Sequence, residues 1–255
     1  LKNVSSEQPD IPIIIAGKEF RTGNIGKVTM PHDFNHVLAT YHIASEKEIK
    51  MAINASLEAK EQWSNLSWIE RTSIFMKIAE LIAQKYRSRF SAVTMLGQSK
   101  NCYQSEIDAI CETVDFLRFN SFFISNIYDE QPAIEKNVIN RLEYRPLEGF
   151  VFAISPFNFT AIAANLNTSV AVMGNTTVWK PATTALLSGY ELMKIYKEAG
   201  LPDGVINFVP SSGSVIANIA LQNKNLAGIH FTGSTDTFYS LWNKVYFIIL
   251  LYYRF

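Results

Sequence analysis

The sequence is short of cysteine and of uncompensated charge, and both shortages exclude classes of protein. Its two cysteines, Cys102 and Cys111, are too few for a disulfide framework and indicate free thiols in a reducing compartment. The 23 Lys and Arg side chains are matched by 23 Asp and Glu side chains, so the chain lacks the basic surface of a nucleic-acid-binding protein. A small, weakly charged substrate fits this balance better than a polyanion does.

Long apolar runs and targeting signals are also lacking. The longest apolar or aromatic run, residues 245–253, is far shorter than the roughly 20 residues that cross a bilayer as a helix, so no membrane partner is expected. The first residues have neither the apolar core of a signal peptide nor the Arg-rich pattern of a transit peptide. We therefore expect that any targeting peptide is absent from this sequence or has been removed.

Residues 1–136 are predicted to form a helical region. Ser45 with Glu48, and Ser67 with Glu70, each match a capping box, in which a hydroxyl and a carboxylate bind the free amides at a helix start. Apolar residues recur at helical spacing after both caps, as they do on the buried face of a scaffold helix. A third helix is predicted at 103–128, with these residues on its buried face: Ile107, Ile110, Val114 and Leu117.

Residues 137–148 have a different pattern. Between residues 138 and 146, apolar and polar side chains alternate, which is the period of a strand with one exposed face. We predict that this segment forms a strand or a hairpin arm.

Residues 149–244 alternate between strand-like and helix-like segments. Short apolar runs predict four strands, at 150–155, 176–180, 205–209 and 228–232. Helical patterns between them predict three helices, at 161–173, 185–199 and 214–221. This order is typical of a parallel α/β sheet, which binds ligands at the carboxyl ends of its strands.

The last residues, 245–255, change abruptly in composition. They carry neither a helix cap nor a turn signal. We interpret them as a tail that is foreign to the rest of the chain.

Four junctions that follow predicted strands carry side chains suited to a ligand. Asn158, in the turn 155–160, can donate to a developing oxyanion, or it can cap the next helix. Lys180 places an ammonium at a strand end, where it can bind sugar hydroxyls or a phosphate, or lie at the surface as an ordinary lysine. The turns 209–214 and 231–234 contain Gly and Ser, which let backbone amides approach a pyrophosphate.

In this order and at these intervals, the junctions resemble the NAD(P)-dependent aldehyde dehydrogenase superfamily. The matching motifs are Pro156-Phe157-Asn158-Phe159, Lys180-Pro181, the Gly-Leu-Pro-Asp-Gly-Val-Ile-Asn segment 200–207, and Phe231-Thr232-Gly233-Ser234. The resemblance extends over residues 10–244. It implies an α/β fold in which an incomplete Rossmann-like parallel sheet is preceded by a helical N-terminal region and an oligomerisation hairpin arm.

Within the superfamily, particular stretches are similar to the 1-pyrroline-5-carboxylate dehydrogenase family. These stretches are 94–101, 106–109, 143–150 and 155–163. That family oxidises L-glutamate 5-semialdehyde to L-glutamate with NAD in proline breakdown, in the mitochondrial matrix or an equivalent cytoplasmic setting. The resemblance therefore implies a small-molecule aldehyde substrate, NAD as the cofactor and a homo-oligomeric parent protein.

The resemblance also implies roles for individual residues, with no metal site among them. Asn158 would be the side-chain donor of an oxyanion hole, and Lys180 would contact the adenosine ribose. Glu112 would meet the substrate's amino group, or it is a solvated or salt-bridged helix carboxylate. Ser211 stands where the family usually has Gly, and its Cβ would narrow the backbone's approach to the cofactor. Further cofactor contacts are implied for Ser155, Pro156, Phe157, Gly213, Gly233 and Ser234.

The nucleophilic Cys and the general-base Glu of the family lie further along the chain than this sequence reaches. Cys102 and Cys111 match neither position. The resemblance therefore implies a truncated enzyme that is inactive alone. Two alternatives stay open: a non-catalytic chain that binds a dinucleotide or serves as an oligomerisation partner, and a product without a function.

Overall fold

The computed structural model describes the backbone of residues 1–252 and the side chains of residues 1–246. Within this part of the chain, no helix combines the length and the apolar character that crossing a membrane requires. The helices, in chain order, are α1 (Lys2–Glu7), α2 (Glu46–Asn65), α3 (Trp68–Ala83), α4 (Arg87–Gln98), α5 (Cys102–Ser105), a π-helix (Glu106–Glu112), α6 (Thr113–Asp129), α7 (Thr160–Val172), a 3₁₀ turn (Thr183–Ala185), α8 (Leu186–Ala199), α9 (Gly213–Leu221) and α10 (Thr235–Tyr252).

Two sheets contain the described strands. The strands are β1 (Asp10–Ile11), β2 (Ile13–Ile15), β3 (Lys18–Phe20), β4 (Ile25–Met30), β5 (Asp33–His42), β6 (Phe150–Ile154), β7 (Thr177–Lys180), β8 (Ile206–Phe208) and β9 (Leu226–Phe231). The larger sheet has the order β3-β2-β8-β7-β6-β9, and the smaller has the order β1-β5-β4. In the larger sheet β8, β7, β6 and β9 run parallel, whereas β2 and β3 are antiparallel additions.

The four strands predicted in the second half of the chain are all present, within two residues of their predicted bounds. Successive side chains of a strand point to opposite faces, and this sheet has a hydrophobic core on each face. Phe152 and Val178 pack into the core beneath α2 and α9, whereas Ala153 and Trp179 pack into the core beneath α3, α7 and α8. Because both faces are buried, β6 and β7 have continuous apolar sequences, as parallel strands between helices do.

The capping boxes predicted for the first two helices are confirmed. Ser45 caps α2 and Ser67 caps α3, and in both helices the Glu at the third position binds back to the cap residue's amide. The carboxylate of Glu48 accepts from the Ser45 amide at 2.9 Å, and that of Glu70 accepts from the Ser67 amide at 2.8 Å. These contacts satisfy amides that have no partner inside the helix.

The predicted helix 103–128 is interrupted by the π-helix Glu106–Glu112, which changes the buried face. In a π-helix each hydrogen bond spans five residues instead of four. Its side chains therefore point in other directions than the 3.6-residue period of an α-helix predicts. The expectation that Ile107 is buried is wrong, because its side chain is 41% exposed, while Asp108 beside it is 2% exposed. The other three predicted core residues are buried: Ile110, Val114 and Leu117.

The region before residue 45 contains five strands that the sequence analysis did not predict. Strand β2 extends the parallel sheet, with Ile14 paired to Phe208, and β4 and β5 form most of the smaller sheet. The predicted helical N-terminal region is therefore helical only from α2 onward, apart from the short α1. Strand β2 pairs with the following β3 and with the distant β8, while β4 pairs with the following β5, which also pairs with β1.

The prediction of a strand over 138–146 is wrong for this chain. An isolated bridge joins Glu135 to Val138, and no strand is assigned between residues 139 and 147 of the described structure. Side chains bind the backbone there instead: the Leu142 amide donates to the Gln131 side chain at 2.9 Å, and the Tyr144 hydroxyl donates to the Glu130 carbonyl at 2.9 Å. An isolated two-stranded hairpin is marginal in water, and neither sheet of the described structure pairs with the segment.

The predicted tail, 245–255, lies mostly outside the described residues. The backbone of α10 continues from Thr235 to Tyr252 without an interruption at residue 245. Val245 packs against the core cluster that contains Leu241. The side chains from residue 247 onward, and residues 253–255 entirely, are outside the described part.

Candidate functional site

The register of the parallel strands brings the predicted junctions to one edge of the sheet. Ile154, the last residue of β6, pairs with Lys180 on one side and with Phe231 on the other. Hydrogen bonds continue the ladder beyond the strands, from the Ser155 amide to the Lys180 carbonyl at 3.3 Å and from the Thr232 amide to the Ile154 carbonyl at 3.3 Å. Neighbouring strands lie about 4.8 Å apart, so the ends of β7 and β9 are about 10 Å apart across β6.

The turn between β6 and α7 presents Asn158 to solvent. Ser155 is buried, and its hydroxyl accepts from the Trp179 indole at 3.0 Å, which fixes the start of the turn. Phe157 is 65% exposed, and Pro156 precedes it in the turn. Asn158 is exposed, and its side chain binds none of the described residues. The alternative in which Asn158 caps α7 is wrong, because the N-cap is Phe159.

A buried carboxylate that the sequence analysis did not single out caps α7. Both oxygens of Asp108 accept hydrogen bonds from α7, one from the Thr160 amide at 3.0 Å and one from the Ala161 amide at 2.9 Å. Lys100 forms an ion pair with Asp108 at 2.5 Å, and its ammonium lies 4.3 Å from the centre of the Phe159 ring. The sequence does place an acidic residue next to a helical position that was predicted to be buried. This signal did not suffice to predict a buried Asp108, because only the π-helix turns its side chain inward.

Lys180 lies at the end of β7, and its side chain is mostly buried. Burial lowers the pKa of its ammonium. In the described structure no carboxylate pairs with this ammonium and no hydrogen bond satisfies it. A partly desolvated cation without a partner is costly, and an anionic or hydroxyl-rich ligand would reduce that cost. Lys180 is therefore not an ordinary surface lysine.

The first turn of α9 begins at Gly213 and offers free amides. Its N-cap residue, Ser212, forms no side-chain cap. A Cβ placed on Gly213 would meet nothing within 4 Å, so the helix start opens onto free space. Ser211, just before the N-cap, is buried, and its hydroxyl donates to the Ala44 carbonyl at 3.1 Å. The expected narrowing of the cofactor's approach by the Ser211 Cβ stays a prediction.

Gly233 and Ser234 follow β9 and are exposed. The Ser234 hydroxyl accepts from the Thr237 amide at 3.3 Å and lies 2.9 Å from the Thr237 hydroxyl. The Ser234 hydroxyl thus binds a backbone amide at the start of α10. The Ser212 hydroxyl binds no such amide at the start of α9. Its own backbone amide and hydroxyl remain at the same edge as Lys180.

Glu112 lies at the end of the π-helix and is partly buried. Burial raises the pKa of its carboxyl, and the nearby carboxylate of Asp108 adds to this effect while Lys100 opposes it. Among the ion pairs of the described residues, none includes Glu112. The salt-bridged alternative therefore has no support, and a cationic ligand group would meet an unpaired carboxylate.

The two thiols lie on α5 and on the π-helix, and neither belongs to a turn that follows a strand of the parallel sheet. Cys102 begins α5 and Cys111 belongs to the π-helix, and both are exposed and free. Burial and the carboxylate of Glu106 raise the pKa of Cys111, which disfavours the thiolate that a nucleophile requires. In the described part of the chain, no three His, Cys, Asp or Glu side chains are grouped as metal ligands.

The edge as a whole combines donors with one cation. Lys180 provides the charge, the start of α9 provides backbone amides, and the turn after β6 provides the amide side chain of Asn158. An anionic, hydroxyl-rich molecule of dinucleotide size requires such a set, and doubly wound sheets bind such ligands at this edge. The residues present therefore fit a dinucleotide.

Comparison with known proteins shows the family of the chain. A model described as "Aldehyde dehydrogenase family" matches residues 21–245. The chain is 48% identical over 236 residues to "Delta-1-pyrroline-5-carboxylate dehydrogenase, mitochondrial" of Dictyostelium discoideum, which covers 92% of this chain and 42% of that protein. It is also 48% identical over 249 residues to "Delta-1-pyrroline-5-carboxylate dehydrogenase" of Agaricus bisporus, which covers 96% of this chain and 45% of that protein.

A solved structure has the same fold. The crystal structure of the Delta-pyrroline-5-carboxylate dehydrogenase from Mycobacterium tuberculosis bound with NAD matches with a TM-score of 0.95 and 44% sequence identity. The match covers 97% of this chain and 46% of that chain. The chain thus spans less than half the length of each of these three relatives.

Proposed function

The chain belongs to the aldehyde dehydrogenase family, and on this premise we propose that it forms the NAD-binding side of an enzyme that oxidises L-glutamate 5-semialdehyde to L-glutamate. The observation that carries the proposal is the alignment of Lys180, the turn with Asn158 and the start of α9 at one edge of a parallel sheet. The names of the relatives support the substrate, and the solved relative with bound NAD supports the cofactor.

Lys180 and the helix starts bind the dinucleotide in this proposal. The Lys180 ammonium donates to the hydroxyls of the adenosine ribose, where a ligand relieves its incomplete solvation. The free amides at Gly213 and the groups of Gly233 and Ser234 donate to the pyrophosphate. The turn formed by Ser155, Pro156 and Phe157 forms the floor beneath the rest of the cofactor.

Asn158 and Glu112 act on the substrate. The Asn158 side-chain amide donates to the carbonyl oxygen of the aldehyde and stabilises the negative charge that develops on that oxygen. The Glu112 carboxylate binds the substrate's amino group. NAD, when bound, accepts the hydride.

The nucleophile and the general base are assigned to residues outside these 255. The positions of Cys102 and Cys111, on α5 and on the π-helix, support this assignment. We therefore expect no aldehyde-dependent NADH production from the chain alone. The mitochondrial names of several relatives support a setting in the mitochondrial matrix for the whole protein.

The segment 137–148 is proposed to pair with another subunit of a homo-oligomeric parent. Ile139 is 92% exposed and Ile134, just before the segment, is 80% exposed, and neither is buried by the chain itself. Large apolar side chains at such exposure are typical of interaction surfaces. This observation also supports the alternative that the chain serves as an oligomerisation partner without catalysis.

Titration calorimetry with NAD tests the proposed function. The chain should bind NAD with a Kd no weaker than about 1 mM, and Lys180→Met should weaken binding at least about tenfold, because a hydrogen bond from a charged group is worth about 1.5–3 kcal/mol. Lys224→Met is the matched control, since Lys224 lies before β9 at the opposite end of the sheet. Equal affinities of the two variants would disprove the assigned site.

A further inference from the structure

The turn that carries Asn158 is fixed at both ends by other parts of the chain. At its start, the buried Ser155 binds the Trp179 indole and the Lys180 carbonyl. At its end, the Thr160 amide binds Asp108. Phe157 and Asn158, between these anchors, form no hydrogen bond to other parts of the described chain, so the position of Asn158 depends on where the two anchors lie.

The second anchor does not come from α7 itself. Phe159 occupies the N-cap and provides no side-chain cap, so the first amides of α7 depend on Asp108, more than 50 residues earlier in the chain. Asp108 is 2% exposed and accepts from two consecutive amides, Thr160 and Ala161. A carboxylate at this place binds the orphan amides and also interacts favourably with the positive end of the helix dipole.

The π-helix is what brings Asp108 to α7. Its five-residue hydrogen bonds turn Asp108 inward and leave the preceding Ile107 exposed. An exposed isoleucine next to a buried aspartate reverses the usual preference of both residues. Single π turns occur frequently at functional sites, and here the change in register has one visible result, the capping of α7.

Three more polar side chains complete the anchor. The Lys100 ammonium pairs with Asp108 and lies over the Phe159 ring, so it contacts the residue directly after Asn158. Gln98 donates to the Thr160 hydroxyl at 2.7 Å, and the Thr94 hydroxyl lies 3.1 Å from the same atom. We call Thr94, Gln98, Lys100, Asp108 and Thr160 the Asp108 cluster.

From these contacts we infer that Asp108 and Lys100 are positioning residues for Asn158. The Asp108 cluster fixes the backbone on the carboxyl side of Asn158 so that its exposed amide is held in one orientation without a direct hydrogen bond. This inference rests on the proposed function, in which Asn158 donates to the substrate's oxyanion. An oxyanion donor stabilises charge best when its orientation is set before the reaction.

Nuclear magnetic resonance of the ¹⁵N-labelled 255-residue chain tests the inference. The side-chain amide signals of Asn158 are assigned by their loss in Asn158→Asp. In Asp108→Asn we expect backbone amide exchange at Thr160 and Ala161 to accelerate at least about tenfold, and the Asn158 side-chain signals to move away from their positions in the original chain. Asp115→Asn is the matched control, because Asp115 is an exposed acid on α6.

A second pair of variants keeps the test decisive if Asp108→Asn does not fold. Lys100→Met leaves the Asp108 carboxylate in place and should also shift the Asn158 signals, whereas Lys100→Arg should restore them because it keeps the cation. If Thr160 exchanges faster but the Asn158 signals stay at their original positions, Asp108 only caps α7 and the inference is wrong. Unchanged Asn158 signals in Lys100→Met would overturn it equally.

The failure of the inference and the failure of the proposed function are distinguishable. The variants above are compared without NAD, so their result does not depend on cofactor binding. A chain that binds NAD but keeps the Asn158 signals in every variant retains the proposed function and loses the inference. A chain that fails to bind NAD loses the proposed function, whatever the Asn158 signals show.

Discussion

Strands β6 and β9 are neighbours in one sheet, yet the chain supports them very differently. Residues 150–153 of β6 are buried, whereas every residue of β9 is only partly buried. The turn after β6 is anchored at both ends, while Gly233 and Ser234 after β9 are exposed. The central strand β6 is thus buried by this chain. The outer strand β9 is left partly uncovered by the described residues.

A groove beside the outer strand β9 marks the surface that the described residues leave uncovered. It has a volume of about 780 Å³ and lies between β9 and α10, with Leu226, Ile229 and Leu241 in its lining. Phe238 and Trp242 line the same groove and are 46% and 61% exposed. An apolar groove next to the outer strand of a sheet is a surface that favours association.

The largest predicted effect compares one phenylalanine from each strand. Phe152→Ala in β6 should reduce the free energy of unfolding by about 3–5 kcal/mol, because it leaves a cavity in a fully buried core. Phe231→Ala in β9 should reduce it by less than about 2 kcal/mol, because the side chain is partly exposed already. Urea unfolding of both variants measures the difference, and equal losses would mean that the edge is as well packed as the centre.

A second prediction concerns pH and the buried lysine at the centre of the sheet. The folded-state pKa of Lys180 is lowered by burial, so the unfolded chain holds its proton to higher pH than the folded chain does. The folded state therefore bears the full cost of the buried cation at neutral pH, and this cost disappears as the pH rises through the lowered folded pKa and the ordinary unfolded pKa.

Without a ligand, Lys180→Met should accordingly be more stable than the original chain at pH 7, and this advantage should shrink towards about pH 10.5. Denaturant unfolding at several pH values checks the trend. Lys224→Met serves as the exposed control and should show little change. A stability difference between Lys180→Met and the original chain that grows with increasing pH would contradict burial of the ammonium as the cause.

The smallest expected effect on stability concerns Trp242, in the groove beside the outer strand β9. Trp242→Gln should change the free energy of unfolding by less than about 0.5 kcal/mol, because the indole is largely exposed. The same change should reduce self-association, since it removes a large apolar side chain from the groove beside β9. Sedimentation velocity at increasing protein concentration measures this, and unchanged association would place the contact elsewhere.

What the sequence predicts well in this protein is local. The capping boxes at Ser45 and Ser67 depend on residues three positions apart, and the apolar runs of β6 and β7 need no knowledge of their partners. The junctions with Asn158 and Lys180 followed from the order of strands and helices. Their meeting at one edge follows from the parallel register, which the alternating pattern implies.

What the sequence does not predict is set by distant contacts. The π-helix turns the Asp108 side chain inward, and its carboxylate binds the first amides of α7 more than 50 residues later in the chain, so the acidic residue alone did not predict this contact. The addition of β2 to the parallel sheet was missed because Ile14 pairs there with the distant Phe208, and residues 138–146 were wrongly predicted as a strand because no strand of the described structure pairs with them. Pairing of this kind is decided by tertiary structure, which a periodic pattern does not contain.

Mapping NAD binding by amide chemical shifts tests the central claim most directly. The chain is titrated with NAD, and the backbone amide signals are followed at both ends of the sheet. We predict shifts that concentrate at Ser155, Lys180, Gly213 and Ser234, beyond the carboxyl ends of the parallel strands, and none at Gly149 or Asn175, which precede β6 and β7. Shifts at the amino ends, or no shifts at NAD concentrations of several mM, would contradict the account.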